Sequence, residues 1–466
     1  MARFFIRSVL VAAVAMGTAR LAEAQVAVTG NVAGNNAGNV NGGNFLGGIA
    51  IDAQGVVRPV FKKDESGDLA RKRREAASDV PSDLKRASPL RKVSLVRLEE
   101  AIRPYAEKRE DLTPAMNYLA GLQRIDYVFV YPESKDLVIA GPAEGFAPDG
   151  AGRMTGLKSG RPPLRLDDLM VVLRAVERGG MIGCSIDPNP QRNAELQKFL
   201  KENPATGGRD AAIALYKEMA RILGNQDVRV LGVPGETHVA QTLVEADYRM
   251  KLIALGLEEI PVRGFRSHLM AAPPRARSVQ RWWLAPLYDA FRSTPDGNAY
   301  EFRGQRVQLM SAEELTDLSG KRTDAATTRI STQKWAQLFT EKYPEIAEHA
   351  TVFAELQNIF DMAILAALMK KERLPQKVDW SQSLFLDASK ATVATGHAPR
   401  QVPTVFNWRA AGQGVTTGMI GGGVSMNPVQ ALRGASITRD DSGKLGTHRK
   451  DAESTKRSDD HPWWWD

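Results

Sequence analysis

The stretch ETHVAQTLVEADYRMKLIALGLEEIP, Glu236 to Pro261, sets the tightest limit on how this chain can fold. At 100° per residue, Val239, Leu243, Ala246, Met250, Ile253 and Leu257 fall on one stripe, which predicts an amphipathic helix packed on a core. Val244 and Tyr248 lie on the reverse side, so the helix is expected to be covered from two directions. Gly256 and Pro261 supply its stop. Glu245 and Asp247 point about 200° apart and cannot act as an acid–base dyad on this helix. His238 and Glu245 share a face but are separated by roughly 10 Å along the axis, too far for the two alone to hold one metal ion. The spacing does give Glu245–Arg249 and Asp247–Lys251 as i,i+4 pairs, each worth about 0.2–0.5 kcal/mol. The expectation is a packed helix braced by ion pairs, with no reaction on it.

The N-terminus carries the three parts of a secretory signal: Arg3 and Arg7, the apolar run SVLVAAVAM, and Ala22-Glu23-Ala24 before Gln25. Export to the periplasm, the envelope or the medium is expected. Residues 1–24 hold three of the cations and one of the anions, so their removal takes the formal charge from +8 to +6. That excess is spread through mixed-sign stretches, which argues against nucleic acid as a partner. Cys184 is the single cysteine, so no intramolecular disulfide can form and the fold must rest on hydrophobic cores. No later apolar run is long enough for a transmembrane helix; MAILAALM at Met362–Met369 reads as a core helix between Asp361 and Lys370.

The predicted fold class is α+β, with a central α/β layer, hairpins, a mostly helical segment towards the C-terminus and disordered flanks. After the signal, residues 25–48 form a flexible Gly/Asn-rich leader, 49–61 a short β-hairpin around DAQG, and 62–94 a charged linker. Residues 95–265 read as an α/β domain, in which YVFVYPESKDLVIAGP is a hairpin. Strand and helix then alternate through LDDLMVVLRAVERGG, MIGCSID and DVRVLGVP, a pattern that suggests parallel pairing. Residues 266–375 read as a strand and helix domain that opens with a hairpin at AYEFRGQRVQLM, and 376–433 as a Gly-rich β segment. Residues 434–466 are expected to be a disordered tail ending in three tryptophans.

VRVLGVPGETHVAQTLVEADYRMKLIALGLE resembles the signature of a family of exported planctomycete proteins defined by a domain of unknown function, the one numbered 1598. YVFVYPESKDLVIAGPAEGF, LDDLMVVLRAVERGGMIGCSIDP, FAELQNIFDMAILAALMKKE and MIGGGVSMNP are similar to it as well. The resemblance spans most of Leu95 to Gly434. It implies export, and it brings no activity, cofactor or catalytic residue.

Local catalytic signatures are missing. None of His238, His268, His349, His397, His448 and His461 lies in an HxxxH or HExxH spacing, so no sequence-local metal site or cofactor is expected. Cys184 in MIGCSID reads as a buried strand thiol rather than a nucleophile. SGKRT at Ser319–Thr323 lacks the upstream glycine of a phosphate loop and reads as a turn. Catalytic residues are thus unassigned. The candidate partner-binding residues are Arg275, Arg277 and Arg281 beside Trp282 and Trp283, and the terminal Trp463, Trp464 and Trp465. Charge next to aromatic faces suits an anionic glycan, a lipid headgroup or an envelope protein. The leading expectation is therefore a non-catalytic exported protein that binds a macromolecular partner. The alternative is an exported hydrolase whose site is assembled from separate loops, which a deep pocket with clustered titratable groups would favour.

Overall fold

A computed structural model describes residues 45–466 apart from 53–54, 64–67, 79, 150, 204–207, 273–276, 289, 312–313, 317–321, 325–329, 395, 412–413, 435 and 455–460. The signal, most of the leader and the greater part of SGKRT lie outside the described residues.

The fold is α+β. Three buried helices, Leu166–Glu177, His238–Leu255 and Thr351–Lys371, pack with one another, and two seven-stranded sheets surround them. Thr351–Lys371 is buried from Val352 through Met369. Among the described residues it is the one helix long and apolar enough to cross a membrane, and its apolar stretch is wholly enclosed by protein. Buried on every side, its few polar groups included, this helix has no solvent face and lies at the centre.

The first sheet runs in the order Arg306–Ser311, Arg277–Leu287, Gly414–Met426, Ile182–Asp187, Asn225–Leu231, Gln401–Pro403, with Phe406–Ala411 also paired to Gly414–Met426. Only Arg277–Leu287 with Gly414–Met426 is parallel. The pairing expected to be parallel, Ile182–Asp187 with Asn225–Leu231, is antiparallel. Its connection holds two helices, Pro190–Glu202 and Arg209–Leu223, which pack on each other around Leu196, Tyr216 and Met219. An out-and-back helix pair returns the chain to the end of the strand it left. The close approach of strands explains the glycine run. A Cβ on Gly422 would lie 2.0 Å from the Trp282 carbonyl oxygen, and one on Gly423 would lie 2.1 Å from that of Cys184.

The second sheet runs Ser436–Arg439, Ala290–Ser293, Ala299–Phe302, Tyr127–Tyr131, Asp136–Ala143, Ser88–Ser94, Trp464–Trp465. Ala299–Phe302 and Arg306–Ser311 do not form the expected hairpin, because they belong to different sheets. Arg306 makes the crossing. It takes a positive φ of 77°, and its buried guanidinium donates to Asp361 and to the carbonyl oxygens of Ile125 and Phe302. The segments expected as separate domains are therefore interleaved: each sheet draws strands from at least three of them. The expected linker 62–94 contains the helix Asp68–Ser78 and the strand Ser88–Ser94, and the N-terminal strands Phe45–Ile51 and Val57–Lys63 pair antiparallel.

The tail is also a correction. Residues 436–454 add a strand and a helix, and Trp463, Trp464 and Trp465 are buried, 4%, 3% and 2% exposed. Trp464–Trp465 extends the edge of the second sheet on Ser88–Ser94. Trp465 Nε1 donates to the Ala452 carbonyl oxygen at 3.0 Å, Arg91 stacks over Trp464, and the Asp466 carboxylate accepts from Arg91 Nε at 2.7 Å. Apolar area decided it: Trp465 packs with Phe129, Tyr131 and Leu445, and Trp463 and Trp464 join the main core, where the indoles gain more than from staying wet. Removing Pro462–Asp466 should lower stability by more than about 3 kcal/mol, since truncating one buried tryptophan costs about that much. Unchanged urea-unfolding midpoints would contradict this packing.

Candidate functional site

Thr237 begins the signature helix as its cap, its Oγ1 accepting from Ala240 N at 3.2 Å. Gly256, at φ 68°, closes it with its N–H on the Ile253 carbonyl oxygen at 3.1 Å. The charges on the reverse faces are paired as spaced. Lys251 Nζ lies 2.6 Å from Asp247, and Arg249 lies 3.7 Å from Glu245 while also forming a two-pronged pair with Glu258. Asp247 is fully buried and faces away from His238, beside Cys184, whose thiol is pushed up by burial.

His238, at the first turn, is not a bystander. Its Nδ1 lies 2.9 Å from Asp168 Oδ2, in the first turn of the helix Leu166–Glu177. Its Nε2 lies 3.8 Å from Glu355 Oε1 on the central helix. Burial alone would lower the imidazole pKa, but the charge and hydrogen bond of Asp168, with Glu355 beyond, raise it to about 9. Glu355 is itself brought down to about 2: burial opposes ionisation, and Arg153 and the His238 ring outweigh it. At neutral pH this is an imidazolium held between two carboxylates.

Arg153 closes the ring of charge. It sits between the short strands Phe146–Pro148 and Met154–Gly156, in a turn fixed by Asp149 Oδ1, which accepts from Ala151 N and Arg153 N. Its two Nη atoms donate to Glu245 Oε2 and Glu355 Oε2. Arg165 lies 3.9 Å from Asp168 and 5.6 Å above the Tyr118 ring, whose hydroxyl pKa is raised chiefly by burial.

These groups line a cavity of about 230 Å³. Thr242 Oγ1, Asn358 Oδ1, Glu245 Oε1 and Arg165 Nε, which border the cavity, are among the side-chain atoms of the described residues that are buried without a hydrogen-bond partner. Buried polar atoms are rarely left so unless a ligand or water meets them. No group of three or more His, Cys, Asp or Glu side chains is arranged for a metal ion among the described residues.

The expected partner-binding residues lie elsewhere. Trp282 is fully buried, 4.5 Å from Trp335. Arg281 pairs with Asp187 at 2.7 Å and stacks 5.0 Å over the half-buried Trp283. Arg277 begins its strand, and Arg275 lies outside the described residues.

Residues 184–268 match the family model described as Protein of unknown function (DUF1598). The chain carries a DUF1598 segment. That segment contributes His238, Thr242 and Glu245 to the cavity, while Arg153, Arg165, Asp168 and Glu355 come from outside it. No curated protein and no solved structure matches the chain.

The sequence left Asp168 and Glu355 unassigned, although each is an acid set in an apolar helical pattern, LDDLMVV and FAELQNIF. A carboxylate on the inward face of a helix must find a partner, and that was the available signal. Because the folded His238 pKa lies above the unfolded value, its contribution is complete below about pH 6.5 and is lost as pH rises through about 9. Thermal unfolding followed from pH 6 to 10 should show that decline, and His238→Asn should flatten it. Arg153→Met takes the hydrogen-bonded cation from two buried carboxylates, leaving Glu245 with Arg249 and Glu355 with His238 at longer range, and should cost about 3 kcal/mol at pH 7 in the same assay.

Proposed function

We propose that the chain is a hydrolase whose active site is the cavity around His238, assembled from separate segments, with the imidazolium as general acid. One observation carries this: Asp168 fixes Nδ1 of a ring held protonated at neutral pH, which leaves Nε2–H directed to the Glu355 side of a solvent-open cavity. A carboxylate on one ring nitrogen sets the orientation of the other, the arrangement by which a histidine delivers a proton. In the proposed reaction Nε2 protonates the leaving group as water adds, and the imidazole so formed takes a proton back from that water. Arg165, the loosest cation of the ring, and the free Thr242 Oγ1 and Asn358 Oδ1 supply groups to hold a small polar portion of a substrate. Export remains part of the reading on the strength of the N-terminal sequence.

Macromolecular docking through the tryptophans draws no support from their placement, because Trp282 and Trp463–Trp465 are inside the protein.

The test is turnover of p-nitrophenyl acetate, p-nitrophenyl phosphate, p-nitrophenyl glycosides and a casein digest by the purified protein. At least one should be hydrolysed, with a rate that falls as pH passes about 9 and drops about 10²- to 10⁴-fold in His238→Asn. Hydrolysis of none, or full activity in the variant, ends the reading.

A further inference from the structure

A second and larger cleft, about 850 Å³, adjoins the His238 cavity and shares Gln241 with it. It opens where two paired segments part. Gln401–Pro403 pairs with Asn225–Asp227, and Val228 N still donates to the Arg400 carbonyl oxygen at 2.9 Å. Pro399 stands opposite Arg229 at a position that exchanges no hydrogen bonds with this strand, and the ladder would resume at Ala398 opposite Val230. From there the chain turns aside, so that Ala398 N donates to the Gly235 carbonyl oxygen and Gly396 N to that of Glu236. The strand meanwhile continues to Leu231, paired on its inner side with Ile182–Asp187.

The outer edge of that strand is left without a partner. Since Val228 N points outward, strand alternation directs the N–H and C=O of Val230 outward as well, and among the described residues no backbone group meets them there. Val228 and Val230 form one wall of the cleft; Ala398, Pro399 and Arg400 form the other. The cleft meets the His238 cavity at Gln241, whose side chain borders both.

We propose that this cleft binds an extended peptide, which pairs with the outward N–H and C=O of Val230 and runs past Gln241 towards His238. The inference rests on the reading of the His238 cavity as an active site and names its substrate class. An unpaired strand edge is complementary to main-chain amides at strand spacing, which a peptide has and a glycan lacks. No Trp, Tyr or Phe borders the cleft, so it offers none of the flat apolar faces on which sugar rings or bases stack.

The probe is a tryptic digest of casein passed over the immobilised full chain, with retained peptides identified by mass spectrometry and the best one resynthesised. Its affinity should fall about tenfold in Val230→Pro, which removes the outward N–H, and should persist in Val230→Thr, which keeps it. The same peptide with methylated backbone nitrogens should lose binding to the unaltered chain, a result that stands even where Val230→Pro does not fold. Retention of chitooligosaccharides instead of casein peptides overturns the proposal, as do no retention at all and retention indifferent to both changes. His238→Asn should keep the peptide and lose only turnover. Peptide retained but never cleaved would therefore remove the hydrolase and leave the cleft. Cleavage of a p-nitrophenyl substrate without peptide retention would do the reverse.

Discussion

Helix His238–Leu255 takes four charged side chains into the protein interior, and the surroundings are arranged to meet them. Glu245, Asp247, Arg249 and Lys251 are each at most 4% exposed. A buried charge that loses its partner costs several kcal/mol, so each one fixes the position of another element. Asp247 and Lys251 satisfy one another within the helix. Arg249 holds the following loop through Glu258. Glu245 reaches furthest, since its partner Arg153 also holds Glu355, and that single guanidinium ties a surface turn to two core helices.

The same rule organises the central helix. Along Thr351–Lys371 the polar residues Glu355, Asn358 and Asp361 recur at three-residue steps and so share a side. Asp361 accepts from Arg124 Nε at 2.8 Å, from Arg306 Nη1 at 2.9 Å and from the Tyr288 hydroxyl at 2.9 Å. These partners come from both sheets or their borders, so one carboxylate joins the two sheets to the core. Glu355, two turns earlier, faces the His238 cavity. The junction of the two sheets and the wall of the cavity thus lie on one helix, separated by about two turns, or roughly 9 Å.

Much of the helix itself could be read directly. The apolar stripe, the two i,i+4 pairs and the stop at Gly256 are local properties of consecutive residues, and local spacing fixes them. The divergence of Glu245 from Asp247 was legible for the same reason. What could not be read was that His238, seven residues from Glu245, would gain Asp168 from seventy residues before it and Glu355 from more than a hundred after it. Neither acid has a spacing relation to His238, and helical geometry describes one helix at a time. Helical geometry alone therefore could not show that His238 borders a cavity lined by charged groups from other segments. The tryptophans failed for a related reason, because exposure is not a property of sequence position and a polar tail can still end in a buried strand.

By itself, the sequence determined that the segments of the three core helices become helical, that a single cysteine leaves packing and ion pairs to hold the fold, and that Thr351–Lys371 must lie inside. These follow from periodicity and composition, which act over a few residues or over the whole chain. Only the tertiary structure decided that the expected domains interleave in two sheets and that the strand pair around the 188–224 connection is antiparallel. It also decided that three separate carboxylates and two arginines surround one histidine. Those outcomes depend on which distant surfaces bury the most apolar area while leaving no charge unmet, a condition that the whole chain has to satisfy at once.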